Sequence, residues 1–471
     1  MTNICLKIFP LSGFLLFAMM QVHANQAPIL AGGVLGYSDP SDPDYFLGDF
    51  LSIVTYQNDQ WTYTLDHNLA PADYYTYAYP TPSAINCHEN ICAAAGYYSS
   101  SVSYEIPLLA FSQDQGQTWE YMIESGKNLP EDFNYAGDRG RLMDVQCINE
   151  GCFAIGGYSS TSVNAQLPIV FHNTNEELLW DYFTPLPDDA SHTGYNQFNK
   201  MSCINNDCVF VGSYNTQLPM ILTKKEENWT FSLDSQNLPK DFATAVSLPA
   251  VSCAANICVA AGSYVNQANA GNYQRTHLLA VSYDGGSQWE YEYIFDPDIN
   301  GHFGSVSCTD TVCVIAGQIQ TPEYVALIVT GNIINENEII WNTTYISKDP
   351  NIRHFDQVSC SEHICLATGS LETGLLLLSS IDQGKTWDIV VDPTTRLPSD
   401  DLYATTEFNS VNCDELTCIA TGAYNGGFPL LLMTQDGGKN WNYEIDSQKN
   451  LPSNMDTYYP GHGLTAVGDS Q

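Results

Sequence analysis

Val251-Ser252-Cys253-Ala254-Ala255-Asn256-Ile257-Cys258-Val259-Ala260-Ala261-Gly262-Ser263-Tyr264 decides the fold, because the same arrangement returns along the chain. Two cysteines stand five positions apart, a glycine follows the second by four and a tyrosine by six. The couplets are Cys87/Cys92, Cys147/Cys152, Cys203/Cys208, Cys253/Cys258, Cys308/Cys313, Cys360/Cys365 and Cys413/Cys418. Their first members advance by 60, 56, 50, 55, 52 and 53 residues. Self-similarity at such a period marks an array of supersecondary units, and propeller blades occupy this range. The glycine is present every time, as Gly96, Gly156, Gly212, Gly262, Gly317, Gly369 and Gly422. Tyrosine fills its position as Tyr98, Tyr158, Tyr214, Tyr264 and Tyr424, with Ile319 and Leu371 in the other two copies.

Short apolar runs on either side of each couplet read as β-strands joined by a four-residue turn. Cysteines flanking such a turn lie opposite one another on a hairpin, where a non-hydrogen-bonded pair brings its Cα atoms to about 4.5 Å. That separation suits a disulfide, and closing so small a loop contributes on the order of 2 kcal/mol. Zinc is the competing reading of Cys-x4-Cys. It fails because each couplet would need two further ligands and the histidines do not recur with the couplets.

The fifteenth cysteine, Cys5, lies in residues 1–24, which read as a secretory signal peptide. Lys7 supplies the positive start, Ile8 to Met20 the apolar stretch, and Val22-His23-Ala24 a small-x-small cleavage site before Asn25. A membrane anchor is the weaker reading, since the apolar run is short and interrupted by Pro10, Ser12 and Gly13. Removal of this segment leaves only coupled cysteines, and export to an oxidising compartment agrees with full pairing. The expected address is therefore secreted, extracellular or periplasmic, with no membrane span. The 471-residue chain has 15 Lys and Arg against 53 Asp and Glu, a net charge of −38. Such a surface repels nucleic acid and anionic membranes.

A second motif follows the couplets. Four copies are sharp: Ser112-Gln-Asp114-Gln-Gly116-Gln-Thr-Trp119, Ser282-Tyr-Asp284-Gly-Gly286-Ser-Gln-Trp289, Ser380-Ile-Asp382-Gln-Gly384-Lys-Thr-Trp387 and Thr434-Gln-Asp436-Gly-Gly438-Lys-Asn-Trp441. They resemble the Asp-box, or BNR repeat, of the sialidase-like β-propeller superfamily, and the resemblance spans nearly all of residues 25–471. It implies a structural turn between the two outer strands of a blade, on the face away from catalytic sites. In such a turn the aspartate accepts backbone N–H bonds, the glycine takes positive φ and the tryptophan plugs the apolar layer.

All eight tryptophans mark this one repeat position: Trp61, Trp119, Trp180, Trp229, Trp289, Trp341, Trp387 and Trp441. They exceed the couplets by one. The extra copy is N-terminal, where Pro28 to Gly32 matches the strand after a couplet but lacks cysteines. Its missing inner strand has a candidate in Gly463-Leu-Thr-Ala-Val-Gly468. The sequence thus predicts an all-β chain forming one propeller domain, 25–471. Its ring of eight blades closes by pairing 463–468 with the N-terminal blade 28–66. A seven-bladed ring with a loose N-terminal extension is the alternative.

Function is expected on the face opposite the couplet turns, where the connecting loops vary most. Those loops include 97–104, 266–275 and 403–408, rich in Tyr, Asn, Gln and Ser, which suit sugars and protein contacts alike. Tyr98, Tyr158, Tyr214, Tyr264 and Tyr424 are the candidate contacts, with core packing as the competing reading. The family resemblance raises sialidase activity, but the N-terminal Arg-Ile-Pro signature is absent and the first arginine is Arg139. Asp132, Asp189, Asp241 and Asp400 follow a recurrent Leu-Pro and read as repeat-structural, so no catalytic residue is assigned. No cofactor is expected, with calcium a minor option at Asp296-Pro-Asp298-Ile-Asn300-Gly301, whose twelfth position is Ser307, or at Asp39 to Asp44. The overall expectation is a monomeric, non-catalytic binding propeller for a glycan or extracytoplasmic protein. The alternative is a glycoside hydrolase, and an assembly factor similar to the Asp-box photosystem-assembly proteins is a third class. Non-reducing peptide mapping should find an N-terminus near Asn25 and seven bonds, each within one couplet; a thiol or a bond between couplets would overturn the pairing.

Overall fold

The computed structural model describes residues 28–469 apart from 40, 70–78, 100–104, 124–127, 135–139, 164, 174–179, 188–189, 191–193, 216–217, 234–237, 268–274, 321–322, 348, 350–351, 372–373, 393–406, 425–426 and 459. The signal-peptide segment, Asp189, Asp400, Arg139 and most of the three loops named above lie outside the described residues, as do the side chains of Asp39, Asp42 and Asp44.

Eight four-stranded antiparallel sheets follow one another around a ring. Blade five shows the pattern: an inner strand Phe242–Ala254, then Ile257–Asn266, Thr276–Ser282 and the short outer strand Glu290–Tyr291. Blade one is assembled from both ends of the described chain. Its strands Ile29–Asp39, Asp42–Gln57 and Gln60–Leu65 take Gly461–Asp469 as their innermost partner. Leu30 faces Gly468, Ala31 faces Val467 and Gly33 faces Leu464. The ring therefore has eight blades, and the closing strand reaches slightly beyond the expected 463–468.

Each couplet is a disulfide, with Cα atoms 3.9–4.1 Å apart. The two cysteines are direct cross-strand partners, as in Cys87↔Cys92, Cys308↔Cys313, Cys360↔Cys365 and Cys413↔Cys418. Their place beside a surface turn does not expose them. Cys92, Cys152, Cys208, Cys313, Cys365 and Cys418 are all 0% exposed. The reason is that each lies on the second strand of its blade, which is covered on both faces. Cys92 packs with Ile85 and Phe111, Cys313 with Ile315 and Val329, and Cys365 with Val358 and Leu378. The couplets, marked by the sequence as sites of covalent bonding, are thus largely core residues, with every second cysteine buried and Cys253 and Cys308 partly buried.

The recurrent glycine has a cause that its recurrence alone did not disclose. The inner strand bulges opposite it, as between Leu142 and Asp144 across from Gly156, or Phe303 and Ser305 across from Gly317. The bulge drives a carbonyl into the space a side chain would need. A Cβ on Gly156 would sit 1.8 Å from the Arg141 oxygen, and one on Gly262 1.9 Å from the Ser247 oxygen. In blade one the place belongs to Gly33, whose Cβ would meet the Gly463 oxygen at 2.2 Å. The register of that blade is thus one residue later than an alignment on Gly32 gives.

Both faces of every sheet are covered, so a strand's alternate residues serve two different cores. In blade five, Cys258, Ala260 and Tyr264 pack against Val209, Val211 and Ile221 of blade four. Val259 and Ala261 pack against Phe303 and Ile315 of blade six. This explains why these strands read as continuous apolar runs. The tryptophans distribute one to each gap between blades: Trp229 joins the core of blades three and four, Trp289 that of four and five, Trp387 that of six and seven.

Around the axis the blades are stitched by hydrogen bonds. The residue before each couplet accepts the N–H of the next couplet's first cysteine. Asn86 Oδ1 accepts from Cys147 at 2.8 Å and Gln146 Oε1 from Cys203 at 2.9 Å. Ser202, Ser252, Ser307 and Ser359 continue the series to Cys253, Cys308, Cys360 and Cys413 at 2.9–3.0 Å. Blade one carries Gly468 at this position and has no side chain to offer. There Thr465 Oγ1 donates to the Pro82 oxygen at 3.2 Å, and Asn409 Nδ2 of blade eight donates to the Leu464 oxygen at 3.1 Å.

Deleting residues 460–471 removes the strand that closes blade one and exposes the edge of Ile29–Asp39. The expected result is a loss of several kcal/mol and aggregation on expression; a truncated protein with the parent's melting temperature would refute the closure.

Candidate functional site on the loop face

The couplet turns and the Ser-x-Asp-x-Gly-x-x-Trp turns occupy one face and bond to each other. Gln115 N–H donates to the Asn90 oxygen at 2.9 Å and Gly285 N–H to the Asn256 oxygen at 2.7 Å. Inside the turn, Asp114 Oδ1 accepts from Ser112 Oγ at 2.8 Å and Thr118 N–H at 2.7 Å. Trp119 Nε1 donates to the Gly116 oxygen at 3.0 Å and to Thr64 Oγ1 of the preceding blade at 3.2 Å. Asp284, Asp382 and Asp436 accept equivalent bonds, and Trp289, Trp387 and Trp441 repeat the indole bond to their own turn's glycine oxygen. Backbone N–H donation from Asn440 leads the effects that take the Asp436 carboxyl down to about 2. All of these carboxylates are spent on local backbone.

The opposite face is built by the loops after each second strand and by the crossings into the next blade. All five candidate tyrosines end a second strand beneath this face, and all are buried, at 0–4 % exposure. They form no displayed circle of ligand contacts, because the ring body is needed to fill the gap between blades. What reaches the face is the hydroxyl. Tyr264 Oη donates to both Asp241 oxygens, at 2.8 and 2.9 Å. Tyr158 Oη donates to Asp132 Oδ1 at 3.0 Å, and Ser160 and Ser162 donate to Asp132 Oδ2. The Tyr424 hydroxyl accepts the Ser447 N–H. Each bond ties a strand end to its blade's adjoining crossing. The pairing of the recurrent Leu-Pro-x-Asp with the recurrent tyrosine was present in the sequence as two separate periodicities, and only the register joins them.

These bonds set the local protonation. Burial pushes the Tyr264 hydroxyl well above the ordinary tyrosine range, and the Asp241 carboxylate pushes it further. For Asp132, burial acts upward but the hydroxyls of Ser160, Ser162 and Tyr158 outweigh it, so the carboxyl titrates below its ordinary value.

Beside Asp241 lies an open hollow of about 590 Å³ walled by Lys240, Asn266, Tyr293, Asp296 and Asp298. Asn266 Nδ2 donates to the Pro297 oxygen at 2.6 Å and the Asp298 N–H to Asp296 Oδ1 at 3.1 Å, which fixes the wall. Tyr293 is half exposed, with its hydroxyl 3.5 Å from Asp241 Oδ1. Asn300, part of the calcium-like run, turns its amide to Gln320 Oε1 at 2.8 Å. Among the described residues no three His, Cys, Asp or Glu side chains converge as a metal site. Of the arginines, Arg141 is committed to Glu105 and lies over the Tyr97 ring at 4.5 Å, while Arg275 Nη1 reaches Ser263 Oγ at 3.4 Å. No described helix is long and apolar enough to cross a membrane.

The fold and this hollow define an eight-bladed propeller with an acidic depression on its loop face. No protein-family model and no curated protein matches the chain. Among solved structures it is similar to YCF48 bound to D1 peptide, at 14% identity over 66% of this chain and 84% of that one, with a TM-score of 0.38. It is also similar to the β-propeller domain of the trilobed protease from Pyrococcus furiosus, at 9% identity over 65% and 83% of the two chains and a TM-score of 0.40. A post-proline cleaving enzyme from Rickettsia typhi matches 96% of this chain with 65% of its own, at 11% identity and a TM-score of 0.45. Likenesses at this level fix no ligand and no activity.

Tyr264 separates its two contributions by substitution. Tyr264→Phe should cost about 1.5–3 kcal/mol, the range for a hydrogen bond to a charged group. Tyr264→Ala should cost about 3–5 kcal/mol, as for other large aromatic truncations. Urea unfolding of both variants reads the difference; a Tyr264→Phe protein as stable as the parent would show that the Asp241 bond holds nothing.

Proposed function

We propose that this protein is an exported, non-catalytic binding propeller of the Asp-box superfamily that recognises a glycan or a protein segment through its loop face. The observation carrying this reading is that the two recurrent crossing acids described on that face, Asp132 and Asp241, are held by tyrosine and serine hydroxyls. Hydrolysis of a glycosidic bond needs one protonated carboxyl facing a second, ionised one. Asp132 is kept ionised, and both Asp241 oxygens accept from Tyr264. Such carboxylates shape a loop and its charge. Seven disulfides suit an oxidising compartment.

Within the two ligand classes, the hollow at Asp241, Asp296 and Asp298 fits a protein segment bearing lysine or arginine, because three acids face one Lys240. The net charge of −38 steers such a partner toward the surface. The test is binding of Lys- and Arg-bearing peptides alongside a chromogenic glycoside screen. The double variant D296N/D298N should weaken peptide capture at least tenfold with unchanged melting. Equal capture by that variant, or turnover in the glycoside screen, would overturn the proposal.

A further inference from the structure

Among the described residues, the gaps between blades are closed on the couplet-turn face by the turn of the following blade where it carries one, and the gap before blade four is left open. Where the following blade carries the Ser-x-Asp-x-Gly-x-x-Trp turn, its second glycine settles on the blade before. Gly286 lies over Val209 and Thr223 of blade four, and Gly384 over Val314 and Thr330 of blade six. Thr223 and Thr330 fasten the turn by donating to the oxygens of Gly286 and Gly384, each at 2.8 Å. Blade four lacks that turn. Its strands Leu218–Lys225 and Asn228–Leu233 are joined by a tight hairpin at Glu226 and Glu227, too short to reach blade three. Two other gaps face equally short hairpins but are filled from elsewhere. Trp341 donates to Glu292 beside Tyr283 between blades five and six. Trp61 packs beside Tyr56 between blades eight and one, in a core that also takes Leu451.

Between blades three and four the empty seat remains as a cavity of about 580 Å³. Its floor is Phe153 and His172, the residues at the positions of Val209 and Thr223. Its side is aromatic: Trp229 has Phe210 stacked at 5.4 Å behind it and Phe183 edge-on at 4.8 Å. Lys224 stands where other blades have the turn's serine, since it pairs with Cys208 as Ser282 pairs with Cys258. Its side chain is only 6% exposed, yet its amine is charge-balanced, 3.2 Å from Glu150 Oε2 and 2.9 Å from the Asn206 oxygen. Asn173, 5% exposed, accepts the Cys152 N–H at 2.8 Å, but its Nδ2 has no acceptor. Glu227 adds a carboxylate at the rim.

We infer that this cavity is a carbohydrate-binding site that takes an uncharged pyranose unit of a glycan. The volume suits a small ligand. A flat aromatic wall accommodates the C–H face of a sugar ring. The polar groups offer donors, Lys224 and Asn173, and acceptors, Glu150 and Glu227, within one cavity, and a ring hydroxyl both donates and accepts. The Lys224–Glu150 pair is neutral, and the remaining carboxylate, Glu227 at the rim, repels acidic sugars. An aromatic peptide side chain would fill the volume but leave the Asn173 amide unmet. The site lies on the face opposite the acidic hollow and is independent of it.

The test starts from an array of neutral and acidic glycans, followed by calorimetry with the free oligosaccharides that bind. A neutral hexose-bearing glycan should bind. Phe183→Ala should weaken it at least tenfold and Glu227→Gln several-fold, while D296N/D298N binds as the parent does. Glu227 lies in an exposed turn, so its variant reports even if Phe183→Ala fails to fold. The inference is overturned if no neutral sugar binds at millimolar concentration. It is equally overturned if Glu227→Gln binds unchanged, if only acidic glycans or aromatic peptides bind, or if D296N/D298N abolishes sugar binding.

Discussion

The architecture depends on one hydrogen bond repeated around the axis: the backbone N–H of a couplet's first cysteine donated to the side chain that precedes the previous couplet. The bond runs between inner strands that share no sheet, so it sets the rotation from blade to blade. The disulfide beside it holds the donor strand in register with its own hairpin. From Asn86 and Cys147 to Ser359 and Cys413, six successive contacts place donor and acceptor within 2.8–3.0 Å. The alternation of apolar side chains to left and right cores follows once the inner strands are so placed.

Much of this was legible before any coordinates. The couplet period counted seven blades, the tryptophans supplied the eighth, and residues 463–468 were the candidate to complete it. That reading succeeds because disulfide geometry and blade packing each impose a residue type at a fixed register. The polar residue before each couplet, Asn86, Gln146, Ser202, Ser252, Ser307 or Ser359, also recurred, but its acceptor role spans two blades and has no local signature.

The face was less legible than the ring. A tyrosine that recurs in a repeat can be a packing ring or a binding ring, and composition does not separate the two. Tyr264 is both core and polar: its ring lies in the gap between blades four and five, and its hydroxyl emerges under the loops to hold Asp241. The cavity between blades three and four was invisible for another reason. It follows from a turn that is missing, with Lys224 in place of a serine, and an absent copy of a motif carries no positive pattern to find.

The joint at Gly468 bears on the order in which the molecule is made. Each disulfide links residues 5 apart and needs only its own hairpin, so it can form before the ring is closed. The inner strand of blade one emerges last, after every other blade has its four strands, so the first three strands must wait as an unfinished sheet. Once in an oxidising compartment the chain can therefore be cross-linked locally while still an open arc, and it becomes a ring only when Gly461–Asp469 docks on blade one. Until then, Ile29 to Leu35 present an unpaired backbone edge, open to pairing with another chain.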